Sequence, residues 1–163
     1  MLRWLASLLP RRSLPVSPRE RALALLERGD AGEAEPLFEA LLAVADAPGE
    51  RAFLLNKRGV ARAAQARIVE AVEDFTAVLA LDRRYVPAIV NLGNVAFEQD
   101  RAAEALARYE EAIALDPHHA RAFAGAAAAY KRLGRYADAV RAIRTARRLE
   151  ARRLISWRVL RRS

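Results

Sequence analysis

The segment EALARYEEAIALDP at 104–117 repeats, 34 residues on, the pattern of EAVEDFTAVLALDR at 70–83. Glu70/Glu104, Ala71/Ala105, Ala80/Ala114, Leu81/Leu115 and Asp82/Asp116 are identical pairs, while Tyr109 answers Phe75 and Ile113 answers Leu79. The same shift aligns Gly59, Gly93 and Ala127, and aligns Ala71, Ala105 and Ala139. An earlier unit shows in LLERGDAGEAEPLF, where Ala34 and Phe38 keep the spacing of four; its successor follows 37 residues on because DAPGE lengthens the connection. A period of about 20 to 50 residues constrains a chain severely, since each unit is one supersecondary element that buries its apolar face only against its neighbours. Four helical hairpins are expected.

Local chemistry explains why each unit holds two helices. In the third, YVPAIVNLGNVAFEQD places Ile89, Leu92 and Ala96 on one face; Asp100 and Arg101 interrupt; then Ala105, Leu106, Tyr109, Ala112 and Ile113 recur at helical intervals. Gly93 and Ala105 are small where the helices must approach closely, and Tyr109 fills the space between them. Pro117 after Asp116 ends the second helix and opens the next unit. Composition agrees: 53% of the 163 residues are hydrophobic, enough for a core, and only seven Gly and seven Pro occur among long runs of Ala, Leu, Arg and Glu. With no Cys, disulfides, thiolate ligands and a thiol nucleophile are excluded, whereas the compartment stays open.

The units resemble the tetratricopeptide repeat, a helix-turn-helix unit of about 34 residues. The resemblance rests on Ile89-x-x-Leu92-Gly93-x-x-Ala96, Ala105-x-x-x-Tyr109 and Leu115-Asp116-Pro117 in the third unit. The fourth carries Phe123, Tyr130, Gly134 and Ala139, and the second Leu55, Gly59, Ala71 and Phe75. The first keeps Gly29, Ala34 and Phe38, with Pro36 expected in the first turn of its second helix. Arg62 and Ala96 stand where the pattern prefers Tyr, and Arg83 replaces a closing Pro. The resemblance implies an all-α fold, a right-handed α-solenoid of about four repeats with a C-terminal capping helix. The expected organisation is a flexible arm at 1–17, an array at 18–151 (repeats at about 18–48, 52–83, 86–117 and 120–151), and a basic capping helix at 152–163 that covers the last face with Leu154, Ile155, Trp157, Val159 and Leu160.

In such an array the first helices line a concave groove, which implies a non-enzymatic scaffold for a peptide or partner helix. The groove residues expected to bind a partner are Asn56, Lys57, Asn91, Asn94, Glu98, Arg121, Lys131 and Arg132, with Val60, Pro87 and Ala128 beside them. Asn91 and Asn94 stand out, because an amide both donates to and accepts from a peptide backbone. Some relatives clamp a chaperone's terminal carboxylate with Lys, Asn and Arg; only Asn91 and Arg121 match that arrangement, and Val60 and Gly125 occupy positions where it requires Asn and Arg. Chaperone-tail binding is therefore not expected. AFAGAAAAY in the fourth unit provides a shallow apolar floor, and close helix packing explains its alanines equally well.

Charge points to an alternative partner. Of the net charge of +8, residues 131–163 carry twelve basic groups against Asp138 and Glu150, so residues 1–130 sum to minus two. Arg141, Arg144, Arg148 and Arg152 form one helical stripe that suits an anionic partner: an acidic protein, a membrane surface or nucleic acid. No aromatic platform or base-reading motif accompanies the stripe, and the preference for Arg, 26 against two Lys, runs through the whole chain. The apolar run Trp4–Leu9 is too short to span a bilayer. It lacks a clear cleavage site, and Pro10, Pro15 and Pro18 favour an extended arm, with Trp4 as an anchor for a surface or partner. Cytoplasmic residence and self-association through an end of the array complete the expectations.

No catalytic residue, metal site or cofactor is expected. His118 and His119 lie side by side in a connecting turn without further ligands at zinc spacing, and Glu110 and Glu111 read as exposed helix acids. Phosphate-cradling glycines, a serine elbow and a carboxylate pair are all missing from the sequence.

Overall fold

The computed structural model describes residues 17–160, with side chains described as far as Arg152. Eight helices follow one another: α1 Pro18–Arg28, α2 Ala31–Val44, α3 Pro48–Ala64, α4 Ile68–Leu81, α5 Val86–Glu98, α6 Ala102–Leu115, α7 Ala120–Arg132 and α8 Tyr136–Leu160. Each packs chiefly on its sequence neighbours, and the whole is an all-α solenoid of four hairpins. Residues 1–16 of the arm expected at 1–17, with Trp4, and the capping side chains Leu154, Ile155, Trp157, Val159 and Leu160, lie outside the described residues. Helix α8 runs unbroken across residue 152, so the arginine-rich segment continues the last repeat helix as one element.

The turns explain the fidelity of the period. Within every hairpin one residue takes positive φ: Gly29, Ala66, Asp100 and Gly134. Beside it the same bond closes the helix end, from Asp30 N to Leu25 O, Arg67 N to Arg62 O, Arg101 N to Ala96 O and Arg135 N to Tyr130 O, each 2.9 Å. Such bonds satisfy carbonyls that a helix end leaves unpaired. Between hairpins the Asp82 carboxylate accepts from Arg84 N and that of Asp116 from His118 N, both at 2.9 Å. The aspartate shapes this turn, which is why Arg83 stands in for proline without disturbing it. Ser17 and Glu20 form a capping box that starts α1. At the far end of the first hairpin Arg51 donates to the carbonyls of Leu42 and Ala45 and so caps α2 from the next unit. Pro36, expected in the first turn of α2, lies in the second. The N–H that it lacks would have met the carbonyl of exposed Gly32, so the helix continues past it.

In the second and third hairpins an aromatic of the second helix lies on a glycine of the first. Phe38, Phe75 and Tyr109 are fully buried and centre three successive apolar clusters. Burying a side chain of this size contributes about 2 kcal/mol. A Cβ built on Gly59 falls 2.6 Å from the Phe75 ring, and one on Gly93 falls 2.8 Å from the Tyr109 ring. These are equivalent surroundings in successive units, and neither position admits even a methyl group without displacing a buried ring.

Where the family pattern prefers Tyr, Arg62 builds a different contact. Its guanidinium joins Glu35 of α2 at 2.9 Å and Asp74 of α4 at 3.1 Å, and both acids are buried, with 6% and 3% of their surface exposed. Arg58 makes two bonds to the Asp74 carboxylate, at 3.0 and 2.6 Å. Gln65 and Arg67 complete the shell of Glu35 at 2.8 and 2.6 Å. Burial pushes the pKa of Glu35 up, but the bonds from Arg62 and Gln65 and the charges of Arg67 and Arg62 outweigh it and hold the group below the usual carboxylate range. Buried charges are tolerated only when paired in this way.

Two measurements test this account. In urea titrations Gly59→Ala lowers stability by about 2 kcal/mol through overpacking, whereas Gly32→Ala, with its nearest neighbour atom at 3.6 Å, is near neutral. The lowered pKa of Glu35 makes its stabilisation complete above its unfolded value of about 4 and lost as pH falls through its folded value. The urea midpoint therefore drops on acidification, and Glu35→Gln, weaker at neutral pH, shows a smaller acid dependence.

Candidate functional site

The first helices form the inner layer. Helix α3 packs on α5 and α5 on α7, while successive second helices make no comparable contact among the described residues, so the array curves toward the face of α1, α3, α5 and α7. One side-chain rung crosses each step of this face. The Arg19 guanidinium of α1 lies over the Phe53 ring of α3 at 4.4 Å. Asn91 Nδ2 of α5 donates to Asn56 Oδ1 of α3 at 2.9 Å. Arg132 of α7 lies over the Phe97 ring of α5 at 4.2 Å, donates to the Phe97 carbonyl at 3.2 Å and meets Asp100 at 3.0 Å.

The residues singled out in the sequence thus fall into two groups. Asn56 is buried, with 5% of its surface exposed, and serves Asn91; Arg132 is exposed yet engaged by Phe97 and Asp100. Asn91 is half-buried and Asn94 exposed, one turn apart on α5. Lys57 is half-buried beside Phe53, while Glu98, Arg121 and Lys131 are exposed. The pairing of Asn56 with Asn91, 35 residues apart, was not legible in sequence, because it depends on the small rotation between units. Phe53 and Phe97 were also missed; aromatics 44 residues apart fall outside the 34-residue register that guided the reading.

Tyr109 connects the outer layer to this face. Its ring passes from α6 between Gly93 and Gly125, and its hydroxyl donates to Asn94 Oδ1 at 2.8 Å. Burial, with the nearby charge of Glu98 adding to it, pushes the phenol up to about 12, so it remains a donor at all physiological pH. A Cβ on Gly125 would fall 2.4 Å from the Tyr109 ring. The arginine that a terminal-carboxylate clamp requires has no room there.

The alternative patch lies elsewhere. Arg141, Arg144, Arg148 and Arg152 of α8 are all exposed, with Arg141 paired to Asp138. A cleft of about 420 Å³ between α6, α7 and α8 has an apolar floor of Ile113, Phe123, Ala126 and Ala142 beneath Glu110 and Arg141. His119 caps α7 by accepting from Ala122 N at 3.3 Å, and burial lowers its pKa. Among the described residues no group of three acids, histidines or cysteines is placed to hold a metal, and no helix is long and apolar enough to cross a membrane.

The tetratricopeptide repeat model matches residues 96–158. Those residues carry the tetratricopeptide repeat, and the hairpins that precede them have the same helix-turn-helix architecture. No curated protein matches the sequence. Among solved structures the chain is similar to MamA 41-end from Desulfovibrio magneticus RS-1, with 24% identity over 82% of this chain and 74% of that one at a TM-score of 0.63. It is also similar to pilF of Pseudomonas aeruginosa, with 24% identity over 81% of this chain and 59% of that one at a TM-score of 0.70. A third likeness is to the second TPR of Spaghetti (RPAP3) bound to the HSP90 peptide SRMEEVD, with 23% identity over 63% of this chain and 96% of that one at a TM-score of 0.58. At these identities the likeness is one of fold.

The link from Tyr109 to Asn94 is measurable. Tyr109→Phe removes the one hydroxyl bonded to Asn94 and lowers stability by about 1 kcal/mol in urea titration. The helical circular dichroism spectrum stays unchanged.

Proposed function

We propose that the protein is a non-enzymatic scaffold that holds a peptide or partner helix along its first-helix face, in the cytoplasm. The observation that carries this reading is the division of labour between two amides on α5. Asn91 uses an N–H on Asn56, which leaves its carbonyl oxygen to accept from a ligand; Asn94 uses its oxygen on Tyr109, which leaves its N–H pair to donate. Opposite halves of two amides one turn apart match the alternating N–H and C=O of a peptide backbone. Lys57, Glu98, Arg121, Lys131 and Arg132 flank them with charge. The peptide held by the second TPR of RPAP3 supports groove binding as a use of this fold.

The exposure of the arginine stripe on α8 favours a second reading, in which the protein is an adaptor that docks an assembly to an anionic partner through Arg141, Arg144, Arg148 and Arg152. The two readings differ in which substitutions matter. Partner capture with cross-links mapped to residues falls about tenfold in Asn91→Ala/Asn94→Ala and is unchanged in Arg144→Glu/Arg148→Glu. The reverse pattern, with cross-links on α8, establishes the adaptor in place of the groove.

A further inference from the structure

Resting on the groove reading, we propose that the face of α3, α5 and α7 takes an extended acidic segment from within a partner chain, and not the chain's carboxyl end. The chain has 28 basic residues of which only two are lysines, Lys57 and Lys131. Both stand on first helices, at the two sides of Asn91 and Asn94. Lys57 is half-buried and Lys131 exposed, and exposed Arg121 adds a third cation on α7. Of the acids on or beside this face, Glu50 is paired with Arg19 and Asp100 with Arg132, which leaves Glu98 against the three cations. The excess is positive and divided between two positions.

That division decides which feature of a ligand is read. A terminal carboxylate places two oxygens at one point and needs donors converging there. Here the convergent position is closed, because Gly125 lies against the ring of buried Tyr109, and Val60 of α3 offers no polar group. The charges instead bracket the two amides. Helices α3 and α7 are two steps apart, and at about 9 Å per step their separation is about 18 Å. An extended chain covers that distance with about six residues. The fitting ligand therefore carries two acidic side chains about six residues apart, with its backbone between them on Asn91 and Asn94.

The two lysines also supply the assay. Reductive ¹³C-dimethylation keeps their charge and gives each a separate NMR signal, assigned with Lys57→Arg and Lys131→Arg. The probes are acetylated, amidated peptides about nine residues long, with two Glu about six apart, one Glu, or two Lys. The two remaining probes are the one-Glu peptide with a free carboxyl end and a single-stranded oligothymidylate of similar length.

The capped two-Glu peptide shifts both signals and binds about tenfold more tightly than the one-Glu or two-Lys peptides. Freeing the carboxyl end changes affinity less than about twofold. In Lys57→Glu/Lys131→Glu, both residues being outside the core, the preference reverses toward the two-Lys peptide. Equal binding of the two-Lys peptide, tight binding of the free-ended one-Glu peptide, or an equal response to the oligonucleotide overturns the proposal. So does silence of both signals toward every peptide. If mapped cross-links still fall on Asn91 and Asn94 in that case, the groove reading stands without its acidic ligand; if they miss α5 as well, both fall.

Discussion

An aromatic ring seated on a bare glycine is the contact on which the architecture depends. Phe75 on Gly59 and Tyr109 on Gly93 bring second helix and first helix together at a distance that no side chain on the glycine allows. The ring supplies the buried area, and the missing Cβ supplies the proximity. Repeated at a fixed interval, this contact sets both the packing within a hairpin and the orientation in which the next hairpin is received. Tyr109 extends the arrangement by touching Gly125 of the following unit as well. One side chain thus closes the core of the third hairpin, seats the fourth, and delivers a hydroxyl to Asn94.

Between the first and second hairpins the chain uses a different solution. Arg62 spans from Glu35 to Asp74, with Arg58, Gln65 and Arg67 completing the coordination of both acids. In the fourth unit, Tyr130 at the corresponding position reaches Glu110 at 2.7 Å across an exposed surface. The contrast shows how a departure from a repeat pattern acts. The Tyr130 hydroxyl reaches one second helix, whereas the Arg62 guanidinium joins two through a link that is ionic, buried and dependent on every partner being present. Replacement of buried pairs by apolar groups is often neutral or stabilising elsewhere, so the network specifies this interface more than it strengthens it.

Most of the architecture was legible in the sequence, and for a physical reason. Apolar spacing within each helix and the 34-residue interval between helices are local properties, so Gly59, Gly93, Phe75 and Tyr109 could be placed in equivalent surroundings without coordinates. The site was less legible because it depends on relations between units. Asn56 and Asn91 are each ordinary polar residues on a helix; only the stacking brings one to bury the other's partner atom. Arg62 was visible as a departure, but its two acids come from different hairpins. Pro36 was misplaced by one turn because the start of α2, at Ala31 after Asp30, has no side-chain cap to mark it.

The rungs from Arg19 to Phe53, Asn91 to Asn56 and Arg132 to Phe97 all lie on the inner side of the curve. Mechanically the array is bonded along its inner edge at every step and along its outer edge where Arg62 ties Glu35 to Asp74. Pulling its ends apart stretches the inner links first, whereas fanning the outer helices strains the ionic tie between the first two hairpins. Flexing toward tighter curvature is therefore easier in the third and fourth hairpins than in the first two, and a rod-like conformation is the shape that this protein resists along its whole length.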